Sequence, residues 1–203
     1  MKIIYFGSGK FGIKCLDAIK KSRHQLLHIY TQPAQRAGRG KKLKPTDVAV
    51  WAERNKVKCC QCSDVNRPET IEEIRNHQAD LLVVIAFGQK ISGQLVSSFP
   101  KGAVNVHASL LPAYRGAAPV NWAIINGDTK TGVSIITLAD KMDAGEVLAQ
   151  GQVAIEQTDT ADVVLDKLAD ISPGVLMGAI DDIEMTGQFI HRRIMTGQQR
   201  LRN

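Results

Sequence analysis

Residues 81–86 read Leu81-Leu-Val-Val-Ile-Ala86, a continuous apolar run with polar residues before it. A strand has this pattern when both of its faces are covered, and such strands belong to parallel sheets flanked by helices. Strand-like and helix-like segments alternate on both sides of the run. We therefore predict an α/β fold with an open, mainly parallel twisted sheet flanked by helices, a Rossmann-like arrangement.

The same patterns predict the remaining elements of this fold. Strands are expected over residues 2–6, 26–31, 57–60 and 102–107 with a β-rich return over 131–155, and helices over 11–22, 46–55, 67–78, 92–98, 117–126 and 159–187. Residues 32–45 are expected to form a polar loop. Ligands of open α/β sheets bind outside the carboxyl ends of the strands, so we expect the functional site at the turns that follow those ends.

An amide and an imidazole occupy the end of the predicted strand 102–107. Strand side chains alternate between faces, so Asn105 and His107 point to the same side of the sheet. A carboxylate follows later, Asp143 in Lys-Met-Asp-Ala-Gly. Taken singly, these residues could be a turn-capping amide, a buried histidine and a cap for the turn at Gly145. Together they predict an acyl transfer that uses no covalent nucleophile, since they offer an oxyanion donor, a proton carrier and its orienting group.

The first turn of the chain has an alternative interpretation. Gly7-Ser-Gly-Lys-Phe-Gly12 fits the G-x-G-x-x-G pattern of dinucleotide-binding turns. An acid for the ribose is missing, because no Asp or Glu occurs between residues 18 and 46. Arg36 or Arg39 could instead accept a 2′-phosphate, which leaves an NADP-binding oxidoreductase open. A plain strand-to-helix turn is the favoured interpretation.

A basic segment follows the second predicted strand. Residues 36–44 carry five positive charges and no acid, within a chain of net charge +6. Such a segment is often only a solvated charged surface. On the sheet edge that carries the predicted site, it could instead hold a nucleic acid or polyphosphate substrate.

Targeting and redox features of the sequence are few. The chain begins directly with a predicted strand and has no apolar run of the roughly 20 residues needed to cross a bilayer. The four cysteines predict reduced thiols rather than a disulfide framework. We expect a cytoplasmic protein, monomeric, with no membrane association and no metal at the predicted site.

The order of motifs resembles that of the folate-dependent formyltransferases. The resemblance rests on Asn105-x-His107-x-Ser-Leu-Leu-Pro112, Arg115-Gly-Ala-Ala-Pro119, Gly127-Asp128 and Asp143-Ala-Gly145. Two further segments, Thr31-Gln-Pro33 and Arg36 to Leu43, resemble the branch of the family that formylates methionyl-tRNA. The turn after the first strand departs from the family pattern, which often has Gly-Thr-Pro-x-Phe. The resemblance covers residues 1–187 as a catalytic domain.

The resemblance implies an activity and a set of roles. It implies transfer of a formyl group from 10-formyltetrahydrofolate to the methionine of initiator methionyl-tRNA, with Asn105, His107 and Asp143 as catalytic residues. A small amine, glycinamide ribonucleotide or an amino sugar, is the alternative acceptor. The implied donor-binding residues are Phe87, Gly88, Gln89, Ile91, Ser109, Leu110, Leu111, Pro112 and Asp140. The implied tRNA-binding residues are Arg36, Arg39, Lys41 and Lys42.

The end of the chain differs from that branch of the family. The family members that act on tRNA usually add a C-terminal β-barrel domain, for which the sequence has no room. Residues 188–203 are expected to form a basic, poorly ordered tail.

Overall fold

A computed structural model describes residues 1–37, 42–187 and 195–196. The chain divides into two compact units, Met1–Ala103 and Val104–Asn203. The tail predicted over 188–203 lies outside the described residues, apart from the strand at 195–196.

The first unit is built from alternating strands and helices. Its strands are β1 Lys2–Gly7, β2 Gln25–Thr31, β3 Gln35–Ala37, β4 Lys42–Lys44, β5 Cys59–Gln61 and β6 Leu81–Ile85. Its helices are α1 Ile13–Lys21, α2 Asp47–Asn55, α3 Pro68–Asn76 and α4 Gly93–Val96, with a turn of 3-10 helix at Lys10–Gly12 before α1. Strand β1 pairs in parallel with β2 and β6, and β2 pairs in parallel with β5.

The apolar run forms a buried strand over residues 81–85, whereas Ala86 after it is exposed and has a φ of +47°. Every residue of β6 is buried, as are Ile3 to Phe6 of β1 beside it. Helix α1 adds Cys15, Leu16 and Ile19 to this core. Two buried strands side by side, with a helix against them, are what a parallel α/β sheet requires.

The predicted loop over residues 32–45 was wrong in part. Strands β3 and β4 form an antiparallel ladder in which Arg36 is paired with Leu43, and Gln35 with Lys44. Strands β3 and β4 are too short for the alternating pattern of a strand to be recognised in the sequence. We call Gln35–Ala37 and Lys42–Lys44 together the basic hairpin.

Packing accounts for two glycines of the first turn. A Cβ on Gly12 would lie 2.0 Å from the Tyr5 hydroxyl, and one on Gly7 would lie 2.6 Å from the Ile85 carbonyl oxygen. Both positions therefore exclude a side chain because the backbone runs against β1 and β6. Packing thus accounts for Gly7 and Gly12 without a dinucleotide, whereas a Cβ on Gly9 would meet nothing within 4 Å.

The second unit carries an antiparallel sheet and one long helix. Its elements are β7 Ala103–His107, α5 Pro119–Ile125, β8 Lys130–Thr137, β9 Val147–Ala154, α6 Ala161–Thr186 and β10 Met195–Thr196. Strand β8 lies between β7 and β9 and is antiparallel to both, whereas β10 is parallel to β9. A Cβ on Gly151 would lie 2.7 Å from Val175, so this glycine lets α6 pack closely on β9.

The predicted fold class is confirmed. Among the described strands, parallel pairings outnumber antiparallel ones, and helices connect β1 to β2, β4 to β5 and β5 to β6. Across the described part of the chain, no helix combines the length and the apolar character that a membrane span needs.

Candidate active site

Strand β7 presents the amide and the imidazole as the alternation predicts. Asn105 lies opposite Ile136 of β8, and His107 lies opposite Ser134. Being two residues apart in a regular strand, Asn105 and His107 point to the same face. The exposed fraction of His107 is only 7%, so its ring is largely shielded from water.

Asp143 connects these two side chains. Its Oδ1 accepts a hydrogen bond from Nδ2 of Asn105 at 3.4 Å, and its Oδ2 lies 3.5 Å from Nδ1 of His107. The backbone N–H of Gly116 also donates to Oδ2, at 2.9 Å. Asp143 has a φ of +49°, a left-handed conformation that aspartate tolerates better than most residues. The carboxylate is therefore held from three sides.

The second nitrogen of His107 has a partner that the sequence did not reveal. Nε2 lies 2.9 Å from the backbone carbonyl oxygen of Tyr114. Both ring nitrogens thus face an oxygen atom, Nε2 at hydrogen-bonding distance and Nδ1 at a longer ion-pair distance. The ring is therefore held in one orientation between Tyr114 and Asp143.

A hydrogen-bond network fixes the residue that supplies this carbonyl. The Tyr114 hydroxyl donates to Asp128 at 2.7 Å and accepts a bond from Asn126 at 3.0 Å. The bond from Asn126 lowers the pKa of Tyr114, but the bond to Asp128, slight burial and the carboxylate charge raise it overall. The phenol therefore stays protonated and keeps donating. Tyr114 and Gly116 were missed as site residues, because both act through the main chain.

The loop that follows β7 is braced from beneath. The Ser109 hydroxyl donates to the Ala113 carbonyl at 2.6 Å. Ser134 donates to the Ser109 carbonyl at 2.7 Å and accepts from the Leu111 N–H at 3.0 Å. Gln150 donates to the Leu111 carbonyl at 3.0 Å and to Ser134 at 2.8 Å. This buried network fixes the main chain of residues 109–113.

The side chains of the same loop differ in accessibility. Ser109 and Leu111 are buried, Leu110 is half-buried and Pro112 is exposed. Leu110 lies over Gly132, where a Cβ would come within 2.5 Å of it. Of the residues predicted to bind the donor here, only Leu110 and Pro112 offer side-chain surface to a ligand.

Four of the residues predicted to bind the donor lie in the first unit: Phe87, Gly88, Gln89 and Ile91. The Phe87 ring is buried against Phe6, with the ring centroids 4.9 Å apart, and its carbonyl accepts from Ser8 and Gln32 at 3.3 Å each. These bonds show how Ser8, at the position where the family often has threonine, ties the first turn to the end of β6.

Gln89 is also tied into the first unit. Its side-chain amide donates to the Cys62 carbonyl and accepts from the Val65 N–H, at 2.8 and 3.0 Å. Gly88 has a φ of +83° and is exposed, and Ile91 is half-buried. Of these four predicted residues, Gly88 is the exposed one, and it offers main-chain groups only.

The remaining predicted site residues lie on exposed segments. Asp140 is exposed in the turn between β8 and β9, and Arg36 and Lys42 are exposed on the basic hairpin. Arg39 and Lys41 lie outside the described residues.

The fold is of α/β type, and the Asn105–His107–Asp143 arrangement is its candidate active site. The chain belongs to the formyl transferase family, whose N-terminal domain it matches over residues 1–180. This membership supports the formyltransferase interpretation over the nicotinamide alternative. It also agrees with the packing role of the Gly7–Gly12 turn.

The names of individual relatives are more specific than the name of the family. The chain is 39% identical to a methionyl-tRNA formyltransferase of Fusobacterium nucleatum over 91% of its own length and 59% of the relative's. It is 39% identical to one of Legionella pneumophila over 89% of its length and 58% of the relative's. The chain therefore spans about three fifths of these curated relatives.

A solved structure shares the fold. The phosphoribosylglycinamide formyltransferase of Bacillus halodurans superposes with a TM-score of 0.76, over 95% of this chain and all of that one. The two sequences are 20% identical, so this likeness concerns the fold alone.

Proposed function

We propose that this chain transfers the formyl group of 10-formyltetrahydrofolate to the amino group of methionine on initiator methionyl-tRNA. One observation carries the proposal: a single carboxylate, Asp143, contacts the amide of Asn105 and faces the imidazole of His107. That arrangement supplies a donor for an oxyanion and a proton carrier on the same face of a strand. It supplies neither a serine nucleophile nor a strained elbow, which fits direct attack by the acceptor amine.

The amine attacks the formyl carbon, and the carbonyl oxygen becomes an oxyanion. Asn105 has two amide hydrogens, of which one is used by Asp143 and the other remains for this oxygen. His107 lies on the same face of β7, and a positive charge on its ring would stabilise the same oxyanion. The loss of one such donor raises a barrier by about 2.7–4 kcal/mol in comparable sites.

Collapse of the tetrahedral adduct completes the transfer. The C–N10 bond breaks, the attacking nitrogen loses a proton, and N10 of the folate gains one. His107 and Asp143 are placed to pass this proton, since they face each other at 3.5 Å. The products are the formylated amine and tetrahydrofolate, so no further reactant is needed.

Donor binding is assigned to two segments of the chain. The exposed main chain around Gly88 offers hydrogen-bonding groups to a heterocycle edge, and Leu110 and Pro112 offer apolar surface. Gln89, Ile91 and Ser109 would act by fixing their loops, as would Phe87 and Leu111. Asp140 is exposed and is assigned a polar contact to the donor.

The acceptor is assigned from the basic hairpin and from the relatives. Arg36, Arg39, Lys41 and Lys42 would contact phosphates of the tRNA, because cationic side chains on a polyanion release counterions. The two relatives named above are both methionyl-tRNA formyltransferases. The expected monomeric state stays a prediction.

The test is a formylation assay on the whole chain with 10-formyltetrahydrofolate as donor. Methionyl-tRNA and glycinamide ribonucleotide are supplied in parallel to wild type, His107→Gln and the control Asn76→Ala, an exposed position on α3. The proposal is supported if wild type and Asn76→Ala both formylate the tRNA and the rate in His107→Gln is at least 100-fold lower. Formylation of the small amine alone overturns the acceptor, and no transfer to either overturns the activity.

A further inference from the structure

Three side chains of metal-ligating type meet on the first unit, on residues that the proposed formyl transfer does not use. His28 comes from β2, Glu73 from α3, and His77 directly follows the last turn of α3. One ligand atom from each of them lies within 4.8 Å of the other two. Glu73 and His77 are four residues apart, so they share one side of the helix end.

A hydrogen bond and ring contacts hold these side chains in place. The Tyr30 hydroxyl donates to Oε1 of Glu73 at 3.0 Å and lies 3.4 Å from Nε2 of His77. The His28 ring lies against Tyr30 and His77, with centroid distances of 4.9 and 4.7 Å. Carboxylates that bind metals are commonly oriented by such a hydrogen bond from a neighbouring residue, which is the part that Tyr30 plays here.

The His28 ring has an unused nitrogen. Its Nδ1 is buried and has no hydrogen-bond partner. A buried polar atom without a partner is costly, and a cation bound by the ring would supply the missing polar contact.

We propose that His28, Glu73 and His77 form a binding site for a divalent transition-metal ion, with zinc as the ion that this ligand set favours. Two imidazoles and a carboxylate are an established zinc set, and a hard ion such as Mg²⁺ prefers oxygen ligands alone. Zinc–ligand distances of about 2.0–2.2 Å require the three atoms to draw closer than they stand. Glu73 is exposed and His77 half-buried, so both can rotate inward.

The bound ion would join β2 to the end of α3. These elements are far apart in the sequence, so metal binding selects the folded state and stabilises it. A fourth coordination position would remain for water, because the cluster supplies three protein ligands.

Thiols nearby are the rival ligands. Cys59 and Cys62 have the Cys-x-x-Cys spacing, and Cys60 lies opposite Tyr30 on the neighbouring strand. The group of ligand atoms within 4.8 Å of one another consists of His28, Glu73 and His77 and contains no thiol. The proposal therefore takes the two imidazoles and the carboxylate as ligands.

The experiment titrates zinc into the chelator-treated whole chain against a chromophoric chelator. Wild type is expected to bind one ion per chain and to show a higher thermal midpoint with zinc. Glu73→Gln and His77→Asn should lose this binding, whereas the matched control Glu72→Gln, on the same helix, should keep it. Tyr30→Phe keeps all three ligands and should bind about tenfold more weakly. Circular dichroism of each metal-free variant checks that it is folded.

Cobalt distinguishes the two ligand classes. Co²⁺ bound by imidazole and carboxylate gives visible ligand-field bands without a thiolate-to-metal charge-transfer band. That spectrum, lost in Glu73→Gln, supports the site. A thiolate band, zinc binding that survives in the folded Glu73→Gln and His77→Asn variants, or no zinc binding by wild type overturns it. None of these outcomes depends on formyl transfer.

Discussion

Nδ1 of His107 lies 3.5 Å from Oδ2 of Asp143, while Nε2 of the same ring lies 2.9 Å from the carbonyl oxygen of Tyr114. The ring is therefore held between a carboxylate and a carbonyl, both acceptors. A neutral imidazole has one N–H and could donate to only one of them. We therefore predict that the reaction depends on the negative charge of Asp143 as well as on the shape of its side chain.

Asp143→Asn keeps the shape of the side chain and removes its charge. We expect turnover in formyl transfer to fall by about 10²–10⁴-fold, because His107 loses the carboxylate that faces and orients its ring. Rapid-quench assays with saturating donor measure this loss. Donor affinity, followed by the quenching of protein fluorescence, should change much less. Turnover within twofold of wild type would contradict the assigned role of Asp143.

Asn105→Ala removes the amide that is assigned to the oxyanion. Turnover should fall by about 10²–10³-fold, the usual effect of losing one oxyanion donor. The measurement is the steady-state rate at saturating donor and acceptor, with Asn76→Ala as the control. Asn105 also donates to Asp143, so combining the change with Asp143→Asn should cost less than the two separate losses together. Full additivity would argue that the two residues act independently.

Ser134→Ala tests the network beneath the loop after β7. The hydroxyl of Ser134 accepts from the Leu111 N–H and from Gln150, and both donors would be left without it. A buried donor that loses its partner costs about 1–3 kcal/mol, so the free energy of unfolding in urea should fall by this order. Ser97→Ala, at an exposed position on the surface, is the matched control. Equal stability of the two variants would mean that Ser134 does not brace the loop.

The buried strands and the candidate catalytic residues could be predicted from the pattern of neighbouring residues in the sequence. The apolar run at residues 81–86 predicted a buried strand, and strand alternation put Asn105 and His107 on one face. Both inferences depend only on the spacing of neighbouring residues, which the sequence states directly.

The sequence did not reveal contacts between residues that are distant in the chain, or contacts made by main-chain groups. The Tyr114 carbonyl and the Gly116 N–H contact the site through groups that every residue carries, so their side chains gave no signal. His28 and Glu73 meet only because β2 and α3 pack together in the first unit. The basic hairpin was expected as a loop, since its two short strands are defined by pairing with each other.

Arg36→Ala combined with Lys42→Ala tests the basic hairpin as a tRNA contact. Each lost phosphate contact should lower the magnitude of the slope of log binding constant against log salt by about 0.7–0.9, so the double variant should lose roughly 1.4–1.8 units. Filter binding of methionyl-tRNA at several salt concentrations measures the slope. Turnover with saturating tRNA at low salt should stay near that of wild type, because neither residue belongs to the Asn105–His107–Asp143 arrangement. Lys90→Ala, an exposed lysine elsewhere on the first unit, controls for the general loss of positive charge. An unchanged slope in the hairpin variant, or the same decrease in Lys90→Ala, would remove the hairpin from the tRNA interface.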